Sequence, residues 1–242
     1  MRHIMVLVLT LFAVTAFADV TLTEKSEDTV SVSYFSKGRI AVYEGSQVLN
    51  ITDLKAQLIY GFNPENKTFF RATFKEMNDF YKKMSSDSEG QDNTPFAGDN
   101  AGKSVFVKKT GKGEYAGYSC DRYDVGFPPN QVTSQICVSP QVRQLLLGEM
   151  DAASLKRWMN LMDVEDASDP IRNKLDDISD KVGYIVYEKI IDSVPGYGGT
   201  EGEGYITVLD SVSTKPVDQS KFSIPKGYKL VPVMQVLGGD EQ

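Results

Sequence analysis

The sequence predicts an α+β protein, a large antiparallel sheet accompanied by a few helices in one domain. Three observations predict it. Short runs of alternating apolar and polar residues follow one another closely, joined by turns rich in Gly, Asn and Pro. A few stretches carry apolar residues at helical spacing instead. No internal repeat and no linker divides the chain.

The elements follow in order. Val30, Val32 and Tyr34 alternate with Ser31 and Ser33, and after the turn Ser36-Lys37-Gly38 the pattern resumes with Ile40 and Val42. Gly45-Ser46 turns the chain toward Val48 and Leu49. Leu54, Ala56, Leu58 and Tyr60 then alternate with Lys55, Gln57 and Ile59, and Asn63-Pro64-Glu65-Asn66 leads into a strand from Thr68 to Thr73. Phe74, Met77, Phe80, Tyr81 and Met84 share one helical face. The polar stretch from Ser85 to Gly102 reads as a surface loop. Strands resume from Ser104 to Lys109 and continue through Gly117 to Val125 and Val132 to Val138. Pro140 opens a helix with Val142, Leu145, Leu146 and Met150 on one face. Leu155, Trp158, Met159 and Met162 mark a second helix, and Ile171, Leu175 and Ile178 a short third one after the acidic break from Asp163 to Pro170. Two strands close the pattern, Tyr184 to Ile191 and Gly204 to Val212, joined by a Gly-rich hairpin loop.

Residues Met1 to Ala18 read as a signal peptide: basic Arg2, an apolar run from Ile4 to Ala13, and the small-residue site Ala16-Phe17-Ala18. Residues 19–242 are then the mature domain, expected in the periplasm or secreted, with no transmembrane segment. No cysteine follows the cleavage site, so no lipid anchor is expected there. The single histidine, His3, lies inside the signal. A mature chain without histidine excludes Ser-His and Cys-His nucleophiles and His-ligated zinc. A net charge of −7 argues against nucleic acid as a partner.

Cys120 and Cys137 lie on the two strands flanking Gly126-Phe127-Pro128-Pro129-Asn130. If that break is the turn of a hairpin, Val125 faces Val132, Tyr123 faces Ser134 and Cys120 faces Cys137, within reach of a disulfide. The alternative is a pair of buried free thiols. A redox-active pair is disfavoured, because the C-x-x-C spacing is absent.

Phe222 with Ile224-Pro225-Lys226-Gly227-Tyr228-Lys229 resembles the F-x-IP-x-GYK ending of a group of secreted bacterial domains of unknown function, themselves similar to the LolA-like lipoprotein carriers. The stretch DLKAQLIYGFNPENKTFFRATF, Asp53 to Phe74, resembles the same group's strand-turn-strand leading into a helix. The resemblance implies a curved antiparallel sheet, a half-open barrel with helices covering its concave face. For the carriers, it implies a concave apolar surface that holds acyl chains.

Candidate chemistry elsewhere has plainer readings. Gly196 to Gly204 lacks the GxxxxGK[ST] spacing of a phosphate loop and carries Glu201 and Glu203. Asp163, Glu165, Asp166 and Asp169 lack a calcium-loop register and read as a solvated connection, as do Asp87, Glu89 and Asp92. Asp121, Asp124 and Asp210 on strands announce no paired-carboxylate site. Asn50-Ile51-Thr52 and Asn66-Lys67-Thr68 match the glycosylation pattern, which matters only in a eukaryotic secretory host. No catalytic constellation, metal or cofactor is expected.

What remains is an apolar face. Val32, Tyr34, Val42, Leu58 and Tyr60 line a sheet that the helix bearing Leu155, Trp158, Met159 and Met162 would cover. Complete cover makes these residues ordinary core, and a gap makes them a cavity for a lipid or acyl chain. In the cavity case Trp158→Ala changes ligand retention more than stability. The expected function is an exported, non-enzymatic protein that binds such a ligand. The alternative is a cell-envelope adaptor with a filled core that binds a protein partner through residues 85–102 or 196–204.

Overall fold

Alternation over short runs with tight turns can satisfy backbone hydrogen bonds only by pairing neighbouring strands. The computed structural model of the protein describes residues 19–27, 29–88, 104–129, 131–162, 170–191 and 205–237. The opening meander comprises β1 (Val20–Ser26), β2 (Thr29–Ser36), β3 (Arg39–Glu44), β4 (Gln47–Asp53), β5 (Leu58–Asn63) and β6 (Thr68–Thr73). Helix α1 (Phe74–Ser88) follows, then β7 (Phe106–Tyr115), β8 (Tyr118–Phe127) and β9 (Gln131–Ser139). Helices α2 (Pro140–Glu149), α3 (Ala152–Met162) and α4 (Pro170–Lys181) lead to β10 (Tyr184–Ile190) and β11 (Ile206–Ser213). A two-residue strand β12 (Lys229–Leu230) and a short helix α5 (Val233–Leu237) end the described chain.

All twelve strands form one sheet in the order β12-β6-β5-β4-β3-β2-β1-β11-β10-β9-β8-β7. Every pairing is antiparallel except that of β12 with β6, and the sheet is open, with β12 and β7 at its edges. β1 has no counterpart among the expected strands, yet it joins the meander to β11 at the other end of the sequence.

Helix starts follow their capping chemistry. At α1 the Glu76 N–H donates to Thr73 Oγ1 at 3.1 Å and the Thr73 N–H donates to Glu76 Oε2 at 2.6 Å, a reciprocal capping box. Pro140 opens α2 behind the Ser139 cap, and Asp151 Oδ1 accepts the Ser154 N–H at 2.9 Å at the start of α3.

Three expectations need correction. β5 starts at Leu58 and not at Leu54, because Asp53 Oδ1 accepts the Ala56 N–H at 2.9 Å and turns the chain. Ser85 to Ser88 belong to the last turn of α1, and residues 89–102 of the expected loop lie outside the described residues. In the cysteine hairpin Phe127 faces Gln131, which centres the turn on Pro129, and a bulge between Val125 and Gly126 adds a further residue. The two offsets place Arg122, not Cys120, opposite Cys137. A slip of two residues keeps the same face. Cys120 and Cys137 therefore still meet diagonally, with Cα atoms 5.5 Å apart, in a disulfide.

Both faces of the meander are buried. Val20 and Leu22, Phe35, Ile40, Ile59, and Phe70 with Ala72 cluster with Met77 of α1, Val142 and Leu146 of α2, and Leu155 and Trp158 of α3. On the opposite face Ala41, Tyr43, Ile51, Phe62 and Phe69 cluster with Val217 and Phe222, from the segment that follows β11. That segment is a strap. The Val217 N–H donates to Asp19 Oδ2 at 2.6 Å, Tyr43 Oη donates to the Lys221 carbonyl at 3.0 Å, and Tyr228 sets its ring edge-on to Phe62 at 5.5 Å. Gly227, at φ +92°, makes the turn that lets the chain pair with β6. A third cluster joins Ile171, Leu175 and Ile178 of α4 to Val125, Phe127, Ile136 and Val138 of β8 and β9.

Candidate functional site

The nine residues expected to line one apolar site are dispersed. Strand pairing sets Val32 and Tyr34 on the face of Tyr43 and Ala41, and Leu58 and Tyr60 on the face of Phe62. Tyr34 and Tyr60 pack in the strap-side cluster, where Lys221 Nζ sits 5.1 Å from the Tyr34 ring centroid. Val42 lies on the helix side and packs against that core. The expectation that these five share a face is therefore corrected. The physical cause is that both faces are apolar, so alternation alone does not say which set meets the helices.

The helix residues divide as well. Leu155 and Trp158 are core, with the Trp158 ring edge-on to Phe35 at 5.6 Å. Met159, one residue further on, points into a cavity. The side chain of Met162, which ends α3, lies outside the described residues.

That cavity holds about 220 Å³ and lies between α3, α4 and the sheet. Met159 of α3, Arg172 and Ser179 of α4, Tyr184 to Glu188 of β10, Thr207 and Leu209 of β11, and Glu24 of β1 line it. A second, much smaller recess of about 10 Å³ touches it at Met159 and Tyr184 and reaches Leu155. Lys156 of α3 and Asp180 of α4 form an ion pair between the two helices.

One polar pair stands in the wall. Tyr184 Oη donates to Glu24 Oε1 at 2.9 Å. Burial raises the Glu24 carboxyl above its ordinary range, and the hydrogen bond from Tyr184 offsets only part of that rise. Burial also holds the Tyr184 hydroxyl well above its ordinary range, with the Glu24 charge adding to the effect. Arg172 Nε is 3.7 Å from Asp176 Oδ1 along α4. Glu188 accepts from Ser134 Oγ at 3.4 Å. Among the described residues no group of three His, Cys, Asp or Glu could hold a metal ion, and no helix is long and apolar enough to cross a membrane.

Sequence reasoning missed Glu24, Tyr184, Val186 and Leu209 as site residues. The signal for Glu24 was its place in β1, where Val20, Leu22 and Glu24 alternate on one face. The first two are 1 % and 0 % exposed, so the third position carries a charge where an apolar residue would ordinarily sit.

A family model for a domain of unknown function, DUF4412, matches residues 51–228. The chain belongs to this family. The match takes in the Asp53 to Phe74 stretch and the motif from Phe222 to Tyr228. A search of curated proteins gives no significant match. Among solved structures, the Pseudomonas aeruginosa MucA/MucB complex is similar at 6 % identity and a TM-score of 0.31, covering 85 % of this chain and 54 % of the matched one. A second structure, MucB in complex with periplasmic MucA, gives 7 % identity and a TM-score of 0.31, with 85 % and 53 % covered. The chain thus spans about half the length of these two. A LolA superfamily protein from Nitrosomonas europaea is similar at 8 % identity and a TM-score of 0.22, covering 85 % and 88 %. Likeness at this level carries no functional argument.

Proposed function

We propose that the protein is an exported, non-enzymatic binding protein that takes one apolar chain, such as an acyl chain, into the cavity between α3, α4 and strands β1, β10 and β11. In this reading the sheet is a half-open barrel with α1 to α3 on its concave side, and residues 1–18 direct export. The Cys120–Cys137 disulfide suits an oxidising compartment.

The observation that carries the reading is the cavity of about 220 Å³ walled by Met159, Val186 and Leu209. The recess is partly open, and Glu24, Arg172, Ser179, Glu188 and Thr207 stand beside the apolar residues in its wall, so it suits a single chain segment with a polar end and not a multi-chain lipid. Binding is driven by burial of the chain, at roughly 25 cal/mol per Å² of apolar surface. Longer ligands require α3 or α4 to move off the sheet, and the exposed Lys156–Asp180 pair between them opposes that motion only weakly.

Native mass spectrometry of protein purified from periplasm without detergent tests this. The expected result is an added lipid-sized mass that disappears on denaturation and is reduced in Met159→Trp, whose larger side chain takes up part of the cavity. A bare mass in both states counts against it.

One observation favours the adaptor reading instead. Ile224, Leu230, Met234 and Leu237 are exposed around β12 and α5 at the sheet edge. A protein partner captured by the wild type and lost in Met234→Glu, with the cavity empty, would support it.

A further inference from the structure

Among the described residues, no cation pairs with Glu24 on the cavity wall. Tyr184 is the partner of Glu24 through Oε1, and among the described residues Oε2 has none. Lys25, the next residue, has its Nζ 2.6 Å from Asp210 Oδ1, and Arg172, on the same cavity wall, has its Nε 3.7 Å from Asp176 Oδ1. A carboxylate half-withdrawn from water beside Met159, Val186 and Leu209 carries a desolvation cost that a single phenol hydrogen bond does not cancel.

We propose that the ligand of this cavity carries a cationic amine at one end of its apolar chain, seated against Glu24 Oε2. This rests on the ligand-binding reading above and adds the head group to it. The apolar wall takes the chain, the free carboxylate oxygen takes the ammonium, and the other oxygen keeps its hydrogen bond from Tyr184. Such a contact is a charge-assisted hydrogen bond in a site of reduced dielectric, the setting in which these bonds are strongest. An anionic head is the poorer fit. It would meet Glu24 and Glu188 on the wall, and it would compete with Asp176 for Arg172. The upward shift of the Glu24 carboxyl agrees with a site that lacks its cation.

Calorimetric titration of the mature protein at about pH 8 with n-octylamine, n-octanol and octanoate provides the test. These three share a chain and differ in the head. The wild type should bind the amine about tenfold or more tighter than the alcohol, and octanoate weakest. In Glu24→Gln the preference for amine over alcohol should fall below about twofold, with alcohol binding unchanged. Tyr184→Phe keeps the carboxylate and the ring, and should retain the amine preference even if Glu24→Gln proves poorly folded. Equal binding of amine and alcohol by the wild type, or loss of the preference in Tyr184→Phe, overturns the head-group assignment and leaves the cavity reading standing. No uptake of any of the three overturns both.

Discussion

Trp158 and Met159 are neighbours on α3, and the structure predicts that they fail in different ways when truncated. Trp158 is 8 % exposed, in the helix-side core, with its ring edge-on to Phe35. Truncating a buried Trp to Ala costs about 3 to 5 kcal/mol, of which the aromatic pair contributes about 1. One term runs the other way. The indole Nε1–H is buried with no hydrogen-bond partner among the described residues, and removing such an orphan returns about 1 to 2 kcal/mol. The net loss for Trp158→Ala is therefore about 1 to 4 kcal/mol. Trp158→Phe keeps an aromatic edge against Phe35 and discards the orphan donor, so its stability should stay within about 1 kcal/mol of wild type. Met159 is only partly covered and faces the cavity, so Met159→Ala should cost about 1 kcal/mol or less while lowering octanol uptake severalfold. Urea unfolding followed by far-UV circular dichroism measures the first quantity, since Trp158 is the sole tryptophan and its fluorescence is lost in two of the variants. Titration calorimetry with octanol measures the second. If Trp158→Ala abolishes uptake without moving the urea midpoint, the indole lines the site and the division of α3 argued here is wrong. Equal destabilisation by Trp158→Ala and Met159→Ala would place Met159 in the core and refute the cavity wall.

Further outcomes follow from single features. Reducing the Cys120–Cys137 disulfide, which closes a loop of sequence separation 17, should cost about 3 kcal/mol and lower Tm by about 6 to 12 °C; two free thiols counted in the untreated, denatured protein would refute the bond. Glu149 is buried at the end of α2, with Oε2 accepting the Lys37 N–H at 2.9 Å and Oε1 unpartnered, and burial raises its carboxyl. A raised folded value means that its contribution is present at acidic pH and lost as pH rises through that value. Glu149→Gln should therefore be more stable than wild type at pH 8 and equal to it at pH 4 in urea titrations, and the reverse order would contradict the burial argument. Gly227→Ala places a side chain at φ +92° in the strap and should destabilise by about 1 to 2 kcal/mol, with faster limited proteolysis after β11.

The local parts of this fold were legible because their causes are local. The meander from β2 to β6 follows from alternation and from turns such as Lys37-Gly38, where both residues take positive φ. Helix α1 follows from its apolar spacing, and the Thr73–Glu76 box marks its start. What was not legible is what depends on distant pairing. β1 pairs locally with β2, but its alternation ends in Glu24-Lys25-Ser26, and its other neighbour in the sheet is β11, nearly the whole chain away. The choice of inner face failed for a related reason. In a strand covered on both sides, Val32 and Tyr34 are as good a buried set as Ser33 and Phe35, and only the strap carrying Phe222 and Tyr228 decides between them. The F-x-IP-x-GYK ending was visible as a motif, but its role as the cover of the second face required the fold.

The same logic explains why the candidate site escaped the sequence reading while one of its residues did not. Met159 was found because its signal is periodicity on a single helix. The other walls come from β1, β10, β11 and α4, and the Glu24–Tyr184 pair joins residues 160 positions apart. A charge on an otherwise apolar strand face is weak information when the strand's partner is unknown, because the usual reading is a position facing water. It becomes strong once β10, on the far side of β11, supplies a phenol for one oxygen and no cation among the described residues meets the other. Glu24 is therefore a position where a rule of local sequence is broken without a compensating cation among the described residues, and perturbed charges of this kind cluster at binding sites.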